Sequence, residues 1–281
     1  MRPKQWLKNA IVMAAVVFDR QLGNSEAVLR SFAGLVLFCM ISSSVYIIND
    51  VFDAEADRQH PRKKNRPIAS GELRVGTAEL ASVVISVFSL IFSFILSVQF
   101  GIILSIYLVL NLAYSFGLKH VPLIDVLVIA TGFVLRVGGG VSLITVERFS
   151  PWLYVVTTLL ALYIGFGKRR AELSLVNGTA NSQRPVLNGY SIPFLDQLIV
   201  IVSSTTIVAY SLYTFSAPNL PENHTMMLTI PFVLYGIFRY LYLIQIKGEG
   251  GAPDELLLTD RPLQITIVLW GIAILIIFYV F

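Results

Sequence analysis

The sequence has few of the residues that cover the surface of a soluble protein. Only 14% of its residues are charged, whereas an average soluble domain has about 25%. Its single cysteine, Cys39, excludes an internal disulfide, and its three histidines lack the spacing of a metal site. These shortages exclude an ordinary soluble domain, a disulfide-stabilised domain and a histidine-based metal centre.

Apolar residues are abundant instead, making up 56% of the chain with a mean hydropathy of +0.74. Runs of about 20 apolar residues, long enough to cross a bilayer as a helix, recur along the whole length. We therefore predict an all-α, multi-pass membrane protein with nine transmembrane helices. Because nine helices of about 20 residues leave too little chain for a soluble domain, we predict a single integral-membrane domain over residues 1–281.

The predicted spans are Asn9–Leu22, Leu29–Asn49, Thr77–Val98, Gly101–Phe116, Leu123–Thr145, Trp152–Gly167, Phe194–Phe215, Met227–Ile246 and Leu263–Phe281. The basic start and short apolar core of the N-terminus are typical of a signal peptide. No small-x-small cleavage pattern precedes Asp19 and Arg20, however, which favours a retained first helix. No internal repeat is evident.

The basic residues are distributed unevenly between the two sides of these helices. If the spans alternate in direction, most of the 21 lysines and arginines fall on the N-terminal side, and only Arg20, Arg30 and Arg148 fall in loops opposite. The positive-inside rule then predicts that the N-terminus and the long polar loops face the cytosol, in the cell (inner or plasma) membrane. The net charge of +4 thus indicates topology and does not predict nucleic acid as a partner.

The most polar stretch, NDVFDAEADRQHPRKKNRPIASG, follows the second apolar run. Asp50, Asp53 and Asp57 are spaced three and four apart, so on a helix they share one face, with Asn49 at its edge. Three carboxylates on one face repel one another unless a cation lies against them. Carboxylates that share a metal ion with substrate phosphates are typical ligands of Mg²⁺, so we predict Mg²⁺ on these three aspartates. A solvated helix end paired with the following bases is the alternative.

A second charged cluster, GKRRAEL, follows the sixth predicted span. It contains Lys168, Arg169 and Arg170 with Glu172 as its single acid, and Lys168 and Glu172 are spaced to form an ion pair. Such bases cannot coordinate a metal but bind phosphate directly. The sequence therefore predicts one half of a site that binds a metal and a diphosphate, and another half that binds phosphate without a metal. The alternative is that these bases only fix the orientation of the helix in the membrane, by the positive-inside rule.

Two charges lie inside the fifth predicted helix. Arg136 is roughly 20 Å along that helix, where a charge is costly unless it faces a polar cavity. Asp125 lies on the same face about three turns earlier. We expect both to line a cavity, with a structural pairing through waters as the alternative. Gly138, Gly139 and Gly140 follow Arg136 and either allow close packing or loosen the helix.

The stretch beginning at Asn49 closely resembles the first Asp-rich motif of the UbiA superfamily of intramembrane prenyltransferases, N-D-x-x-D-x-x-x-D followed by K-x-x-R-P. All motif positions are filled, by Asn49, Asp50, Asp53, Asp57, Lys63, Arg66 and Pro67. The resemblance implies a UbiA-like bundle of nine helices around a polar cavity that opens to the cytosol. It also implies that the motif aspartates hold Mg²⁺ against the diphosphate of a donor substrate.

Ordinary members of that superfamily have a second Asp-rich motif where this chain has GKRRAEL. Together with RPKQWLKN, YSFGLKH and LLTDRPLQ, this departure resembles the decaprenyl-phosphate phosphoribosyltransferase branch. The resemblance implies a pentosyltransferase that moves 5-phosphoribosyl from phosphoribosyl pyrophosphate to a polyprenyl (decaprenyl-type) phosphate and releases pyrophosphate. Its product is a precursor for cell-wall arabinan.

From the charges and the resemblance together, the expected catalytic and metal-binding residues are Asp50, Asp53 and Asp57. The expected substrate-binding residues are Lys8, Asn49, Arg58, Lys63, Arg66, Lys119, Asp125, Arg136, Lys168, Arg169 and Glu172. Homo-oligomerisation is left open. One alternative function is an aromatic prenyltransferase of the same superfamily for quinone-type lipids, which needs a second metal site. Another is a carrier of phosphate-bearing lipids, a class in which internal repeats are common.

Overall fold

The computed structural model describes residues 3–59, 63–146, 150–176, 185–218, 220–251 and 253–280, and the regular structure in those ranges is helical. The α-helices are α1 (Ala14–Phe18), α2 (Ser25–Phe52), α3 (Ala54–Arg58), α4 (Val75–Leu96), α5 (Val98–Phe116), α6 (Ile124–Val141), α7 (Trp152–Val176), α8 (Ile192–Ser216), α9 (Ile230–Gln245), α10 (Pro253–Thr259) and α11 (Arg261–Tyr279). Short 3-10 helices lie at Pro3–Met13, Lys63–Asn65, Leu118–His120, Pro185–Gly189 and Thr225–Thr229.

Polar side chains cap the starts of several long helices. These caps are Asn24 on α2, Ser97 on α5, Ser191 on α8 and Asp260 on α11. Ser97 also separates α4 from α5, because its backbone is extended while its Oγ accepts a hydrogen bond from the Phe100 amide at 3.4 Å. A side-chain acceptor at this position satisfies an amide that has no partner inside the helix, so these residues set where each helix begins.

Seven helices of the described chain are long and apolar enough to cross a membrane. They are Ser25–Phe52, Val75–Leu96, Val98–Phe116, Ile124–Val141, Ile192–Ser216, Thr225–Gln245 and Arg261–Tyr279. The first predicted span falls instead on the 3-10 helix Pro3–Met13 with α1, and the sixth falls on α7, whose C-terminal part is charged. The multi-pass membrane class is therefore confirmed, and the count of nine spans stays a prediction.

The chain divides into two compact units. The first unit contains Met1–Leu118 and Leu135–Val146, and the second contains Lys119–Val134 and Glu147–Phe281. The single-domain assignment from the sequence stays a prediction.

The core of the first unit surrounds Phe38 on α2. Its ring packs edge-to-face against Phe100 and Tyr107, with centroids 5.6 Å and 5.5 Å apart. The 3-10 helix Pro3–Met13 approaches α6 so closely that a Cβ on Gly140 would lie 2.0 Å from the Val12 carbonyl oxygen. Gly139 and Gly140 therefore serve close packing, and α6 runs through them without a break.

Helix α4 has its polar face toward the protein. Ser82, Ser86, Ser89 and Ser93 are buried on it, and the hydroxyl of Ser44 on α2 donates to the Ser82 carbonyl at 2.9 Å. The opposite face exposes large apolar residues, including Leu80, Val83, Val87 and Ile91. Small residues at such a contact let two backbones approach closely, as is common between membrane helices.

The second unit has a core formed mainly by α7, α8 and α9. The buried Tyr163 on α7 donates its hydroxyl to the Ile237 carbonyl on α9 at 2.7 Å. The sequence predicted that the sixth helix ends at Gly167, and this boundary is wrong, because α7 continues to Val176. Gly167 lies against Ile244, where a Cβ would be 2.5 Å from the nearest side-chain atom, and good helix formers follow it. The GKRRAEL cluster is therefore helical and does not lie in a loop.

Candidate active site

The acidic cluster lies in the first unit, where α2 ends and α3 begins, and contains Asn49, Asp50, Asp53, Asp57 and Arg66. The aspartates do not lie on one continuous helix, because α2 ends at Phe52 and Asp53 leaves helical geometry with φ −88° and ψ 0°. Backbone hydrogen bonds from Asp53 to Asn49, at 2.9 Å, and from Asp57 to Asp53, at 2.8 Å, nevertheless bridge the junction. The four-residue spacing that the sequence suggested is thus preserved locally.

Arg66 supplies a positive charge to the acidic cluster. Its Nη1 atom donates to Asp50 Oδ1 at 3.1 Å and also to Asp57 Oδ2. The side chain of Asp57 is only 3% exposed, whereas those of Asp50 and Arg66 are 16% and 25% exposed. Two carboxylates therefore converge on one cationic atom, and one side of this arrangement reaches solvent.

Asn49 orients the third aspartate. Its amide nitrogen donates to Asp53 Oδ2 at 3.0 Å, while Ser115 Oγ on α5 lies 3.4 Å from Asn49 Oδ1. Because a hydrogen bond from each side fixes which end of the amide faces which partner, Asn49 presents its donor to the carboxylate. Asn49 can therefore orient a carboxylate of the acidic cluster without contacting a ligand itself.

The donor set of the acidic cluster fits Mg²⁺ held jointly by the protein and a substrate. Among the described residues, no three His, Cys, Asp or Glu side chains are grouped so as to hold a metal by themselves. Two carboxylates nevertheless surround the charge of Arg66 Nη1, and carboxylate oxygens are the hard ligands that Mg²⁺ takes. Mg²⁺ commonly keeps waters and substrate phosphates in its remaining positions, so the incomplete protein ligand set agrees with its chemistry.

The other predicted residues near this motif have different surroundings. Arg58 donates to Glu55 Oε2 at 2.8 Å in an exposed pair, which contributes about 0–1 kcal/mol. Lys8 is half-buried on the 3-10 helix Pro3–Met13. Lys63 begins the 3-10 helix Lys63–Asn65, but its side chain lies outside the described residues. Their substrate-binding roles stay predictions.

Arg136 lies in a buried hydrogen-bond network of the first unit. Its Nε donates to Asn9 Oδ1 at 2.7 Å and its Nη2 donates to Tyr107 Oη at 2.8 Å. Asn9 in turn donates to Ser42 Oγ on α2 at 3.0 Å. These hydrogen bonds replace the water that the buried charge of Arg136 has lost. They also hold the 3-10 helix Pro3–Met13 against α2 and α5. The predicted role of Arg136 in binding substrate stays a prediction, and Asn9 and Tyr107 are partners that the sequence did not reveal.

The basic cluster lies in the second unit and contains Lys119, Asp125, Lys168, Arg169, Glu172 and Tyr190. Arg169 Nε donates to Asp125 Oδ2 at 2.6 Å and its Nη1 donates to Glu172 Oε2 at 2.7 Å. The side chains of Arg169 and Asp125 are 1% and 0% exposed. The expectation of bases with a single acid is therefore wrong, since the fold brings Asp125 to this cluster.

The next arginine along α7 also has a carboxylate partner from elsewhere in the chain. Arg170 Nε donates to Asp196 Oδ1 on α8 at 2.5 Å, and its Nη1 donates to the Ile244 carbonyl at 3.2 Å. The half-buried Lys168 and Lys119 are the remaining lysines of the basic cluster. The predicted pairing of Lys168 with Glu172 stays a prediction.

Tyr190 completes the basic cluster. Its hydroxyl donates to Asp125 Oδ1 at 2.6 Å and accepts a hydrogen bond from the Leu123 amide at 2.6 Å. Burial raises the pKa of this hydroxyl, and its hydrogen bond to Asp125 raises the pKa further, so Tyr190 stays neutral and remains a donor. Sequence reasoning missed Tyr190, because no local motif marks it.

Arg239, which lies within the eighth predicted span, pairs with Asp260. Its Nε and Nη2 lie 3.2 Å and 2.8 Å from the two carboxylate oxygens. Asp260 also accepts a hydrogen bond from the Leu263 amide at 2.9 Å. Arg239 therefore links α9 to the beginning of α11.

Comparison with known proteins gives consistent matches. The family model described as "UbiA prenyltransferase family" matches residues 10–254. The decaprenyl-phosphate phosphoribosyltransferase of Corynebacterium glutamicum is 33% identical over 100% of this chain and 86% of that protein. Its namesake from Mycolicibacterium smegmatis is 34% identical over 96% of this chain and 88% of that protein.

A solved structure supports the same architecture. A UbiA homolog from Archaeoglobus fulgidus, bound to DMAPP and Mg²⁺, superimposes with a TM-score of 0.74 over 100% of this chain and 98% of that chain. The two sequences are 19% identical, so the similarity concerns the fold alone.

Proposed function

Because this chain belongs to the UbiA prenyltransferase family, we propose that it is an Mg²⁺-dependent transferase that moves 5-phosphoribosyl from phosphoribosyl pyrophosphate to a polyprenyl phosphate. The polyprenyl phosphate is of the decaprenyl type, and the product serves cell-wall arabinan synthesis. The names of relatives 33% and 34% identical over nearly the whole chain support this choice within the family. The reaction takes place at the cytosolic face of the cell membrane, in keeping with the distribution of basic residues.

The convergence of Asp50 and Asp57 on Arg66 is the observation that carries the proposal. It provides carboxylates for a metal and a guanidinium for phosphate in one place. The carboxylates of the acidic cluster would hold Mg²⁺ together with the donor, and the ion would supply positive charge against the departing pyrophosphate. Asn49 holds Asp53 in place, and Arg66 can pair with diphosphate oxygens through its guanidinium fork.

The transfer itself needs little proton movement. The bond between the ribose anomeric carbon and pyrophosphate breaks, and an oxygen of the lipid phosphate bonds to that carbon. Because this lipid oxygen is already ionised, no general base is required. The contribution of the chain is therefore to position two negatively charged substrates and offset their repulsion, with Lys119 and Lys168 of the basic cluster binding phosphate oxygens.

Arg66 and Arg169 each bridge two carboxylates but differ in solvent exposure. This difference favours the proposed function over its main alternative, an aromatic prenyltransferase. An aromatic prenyltransferase needs a second metal site, and Asp125 with Glu172 are the carboxylates of the basic cluster that could supply it. Arg169 bridges these two and is 1% exposed, whereas Arg66 is 25% exposed. A buried bridge is costly to open, because it leaves an unpaired charge, so the second pair is better suited to structure than to metal binding.

A two-substrate assay tests the proposed function. Purified protein in detergent is given labelled phosphoribosyl pyrophosphate, a polyprenyl phosphate and Mg²⁺, and pyrophosphate release is measured. We expect release only when both substrates are present, loss of release with a chelator, and recovery on adding Mg²⁺. Activity only with a prenyl diphosphate and an aromatic acid would identify the aromatic prenyltransferase instead. The absence of both activities would favour the lipid carrier.

A further inference from the structure

The turn that carries Lys119 has an unusual backbone, and the buried side chain of Tyr190 helps to hold it. After the 3-10 helix Leu118–His120, the chain passes through Pro122 and Leu123 into α6. Leu123 has φ +67°, a left-handed conformation that a leucine rarely adopts. Such a conformation persists only where the surrounding structure determines it, and it often marks a functional region.

The segment containing Tyr190 holds this turn from one side. The Tyr190 hydroxyl accepts a hydrogen bond from the Leu123 amide at 2.6 Å. The preceding residue, Gly189, packs so closely against Pro122 that a Cβ there would lie 2.3 Å from Pro122 Cγ. The left-handed Leu123 is thus fixed by its own hydrogen bond to Tyr190 and by the contact of the preceding Pro122 with Gly189.

Through Asp125, the same hydroxyl is also connected to Arg169 on α7. It donates to Asp125 Oδ1 at 2.6 Å, and Asp125 Oδ2 accepts from Arg169 Nε at 2.6 Å. Asp125 and Arg169 are both almost completely buried, so their contacts with protein groups set their geometry. Lys168 precedes Arg169 on α7, and Lys119 precedes Leu123 in the turn. One phenol group therefore links the two segments that carry these lysines.

We infer that Tyr190 is a positioning residue, which holds the Lys119 turn and the part of α7 that carries Lys168 in the arrangement that binds substrate phosphate. This inference rests on the proposed function, in which both lysines bind phosphate. Tyr190 acts through Leu123, Asp125 and Arg169 and does not itself contact the reacting atoms.

Tyr190→Phe removes only the hydroxyl and so tests this role. We expect the KM for a phosphate-bearing substrate to rise about tenfold while kcat changes less than about twofold, because the lysines are displaced but the transfer chemistry is unchanged. Binding of inorganic phosphate without Mg²⁺, measured directly by calorimetry, should weaken by a similar factor, because the basic cluster is the half that binds phosphate without a metal. This second measurement does not depend on turnover.

Tyr163→Phe is the matched control, since it removes another buried tyrosine hydroxyl from the core of the same unit, where that group donates to the Ile237 carbonyl. We expect both variants to lower the unfolding temperature and only Tyr190→Phe to change KM and phosphate binding. Equal changes in the two variants, or an unchanged KM in Tyr190→Phe, would overturn the inference. Failure of the proposed function is distinguishable, because the unaltered protein would then release no pyrophosphate with both substrates present.

Discussion

Arg169 and Asp125 form an ion pair at 2.6 Å in which both side chains are almost inaccessible to solvent. The two residues come from different helices, α7 and α6, and the pair is completed by Glu172 and Tyr190. Two charges buried in this way stabilise a fold only while both remain, since either one alone is left without adequate compensation.

We therefore expect Asp125→Asn to lower the free energy of unfolding by about 3–5 kcal/mol, because Arg169 keeps its charge in a buried site. Thermal unfolding in detergent would measure the loss. Glu26→Gln is the control, as it removes a partner of Arg30 from a pair that is 3.7 Å long and largely exposed. Its effect should stay within about 1 kcal/mol, and equal losses in the two variants would contradict the structural role of the buried pair.

Asp50→Asn should lower the initial rate of pyrophosphate release by at least about 100-fold, because it removes a charge that the metal and donor require. The unfolding temperature should change little, since the Asp50 side chain is partly exposed. Glu72→Gln, an exposed acid in the loop before α4, is the matched control and should retain activity. Full activity in purified Asp50→Asn would exclude the acidic cluster as the catalytic site.

Arg66→Met should strengthen the binding of Mn²⁺ alone, measured by electron paramagnetic resonance, by about five- to tenfold. The reason is that the guanidinium and a divalent cation compete for the same oxygens of Asp50 and Asp57. Arg74→Met removes an exposed positive charge nearby and controls for the general electrostatic effect, which is screened by salt. If the two variants bind Mn²⁺ equally, or Arg66→Met binds it more weakly, then Arg66 and the cation do not compete for the carboxylates.

The Asp260 carboxyl should make stability depend on pH. Its hydrogen bond from Arg239 lowers the pKa of this carboxyl below the ordinary value of 3.8, and the Leu263 amide, the charge of Arg239 and the charge of Lys247 lower it further. Because the folded pKa is the lower one, the stabilisation is complete above the ordinary pKa and is lost as the pH falls toward the folded value. Asp260→Asn keeps a capping side chain but removes the charge.

Unfolding temperatures of the unaltered protein and Asp260→Asn, measured from neutral pH down to about pH 3, would check this. We expect the difference between them to be largest near neutral pH and to shrink in acid. A difference that stays constant with pH would show that the carboxylate charge is not responsible.

Gly140→Ala should destabilise the protein by about 1–3 kcal/mol, because the new methyl group meets the Val12 carbonyl and has no flexible neighbour to displace. The N-terminal 3-10 helix should also become more sensitive to protease. Gly236→Ala on α9, where no atom lies within 4 Å, should instead be neutral or stabilising. A harmless Gly140→Ala would mean that the close approach of Val12 is not required.

Features that depend on local order along the chain could be predicted from the sequence. The apolar runs indicated the membrane helices, and the motif from Asn49 to Pro67 indicated the family, which the matching family model and the named relatives confirm. The four-residue spacing of Asn49, Asp53 and Asp57 also corresponds to real backbone hydrogen bonds, although the helix is interrupted at Asp53.

Features that depend on pairing between distant residues could not be predicted. Counting charges near Arg169 missed Asp125, which lies 44 positions away, and the partner of Arg136, Asn9, lies 127 positions away. Close to Arg169 the sequence contains only one acid, Glu172, so this stretch is interpreted as strongly basic. In the folded protein Asp125 pairs with Arg169, and that information is spread over helices whose mutual packing no short pattern specifies.

Helix α4 has a further consequence for anyone who wishes to redesign this protein for aqueous solution. Its serines already satisfy the interior contact with α2, and its apolar residues face outward, the reverse of a helix in a soluble protein. Replacing the outward Leu80, Val83, Val87 and Ile91 by charged residues should therefore make this helix water-compatible without altering its internal packing. Replacing the serines by leucine, the usual remedy for a polar core, would separate α4 from α2.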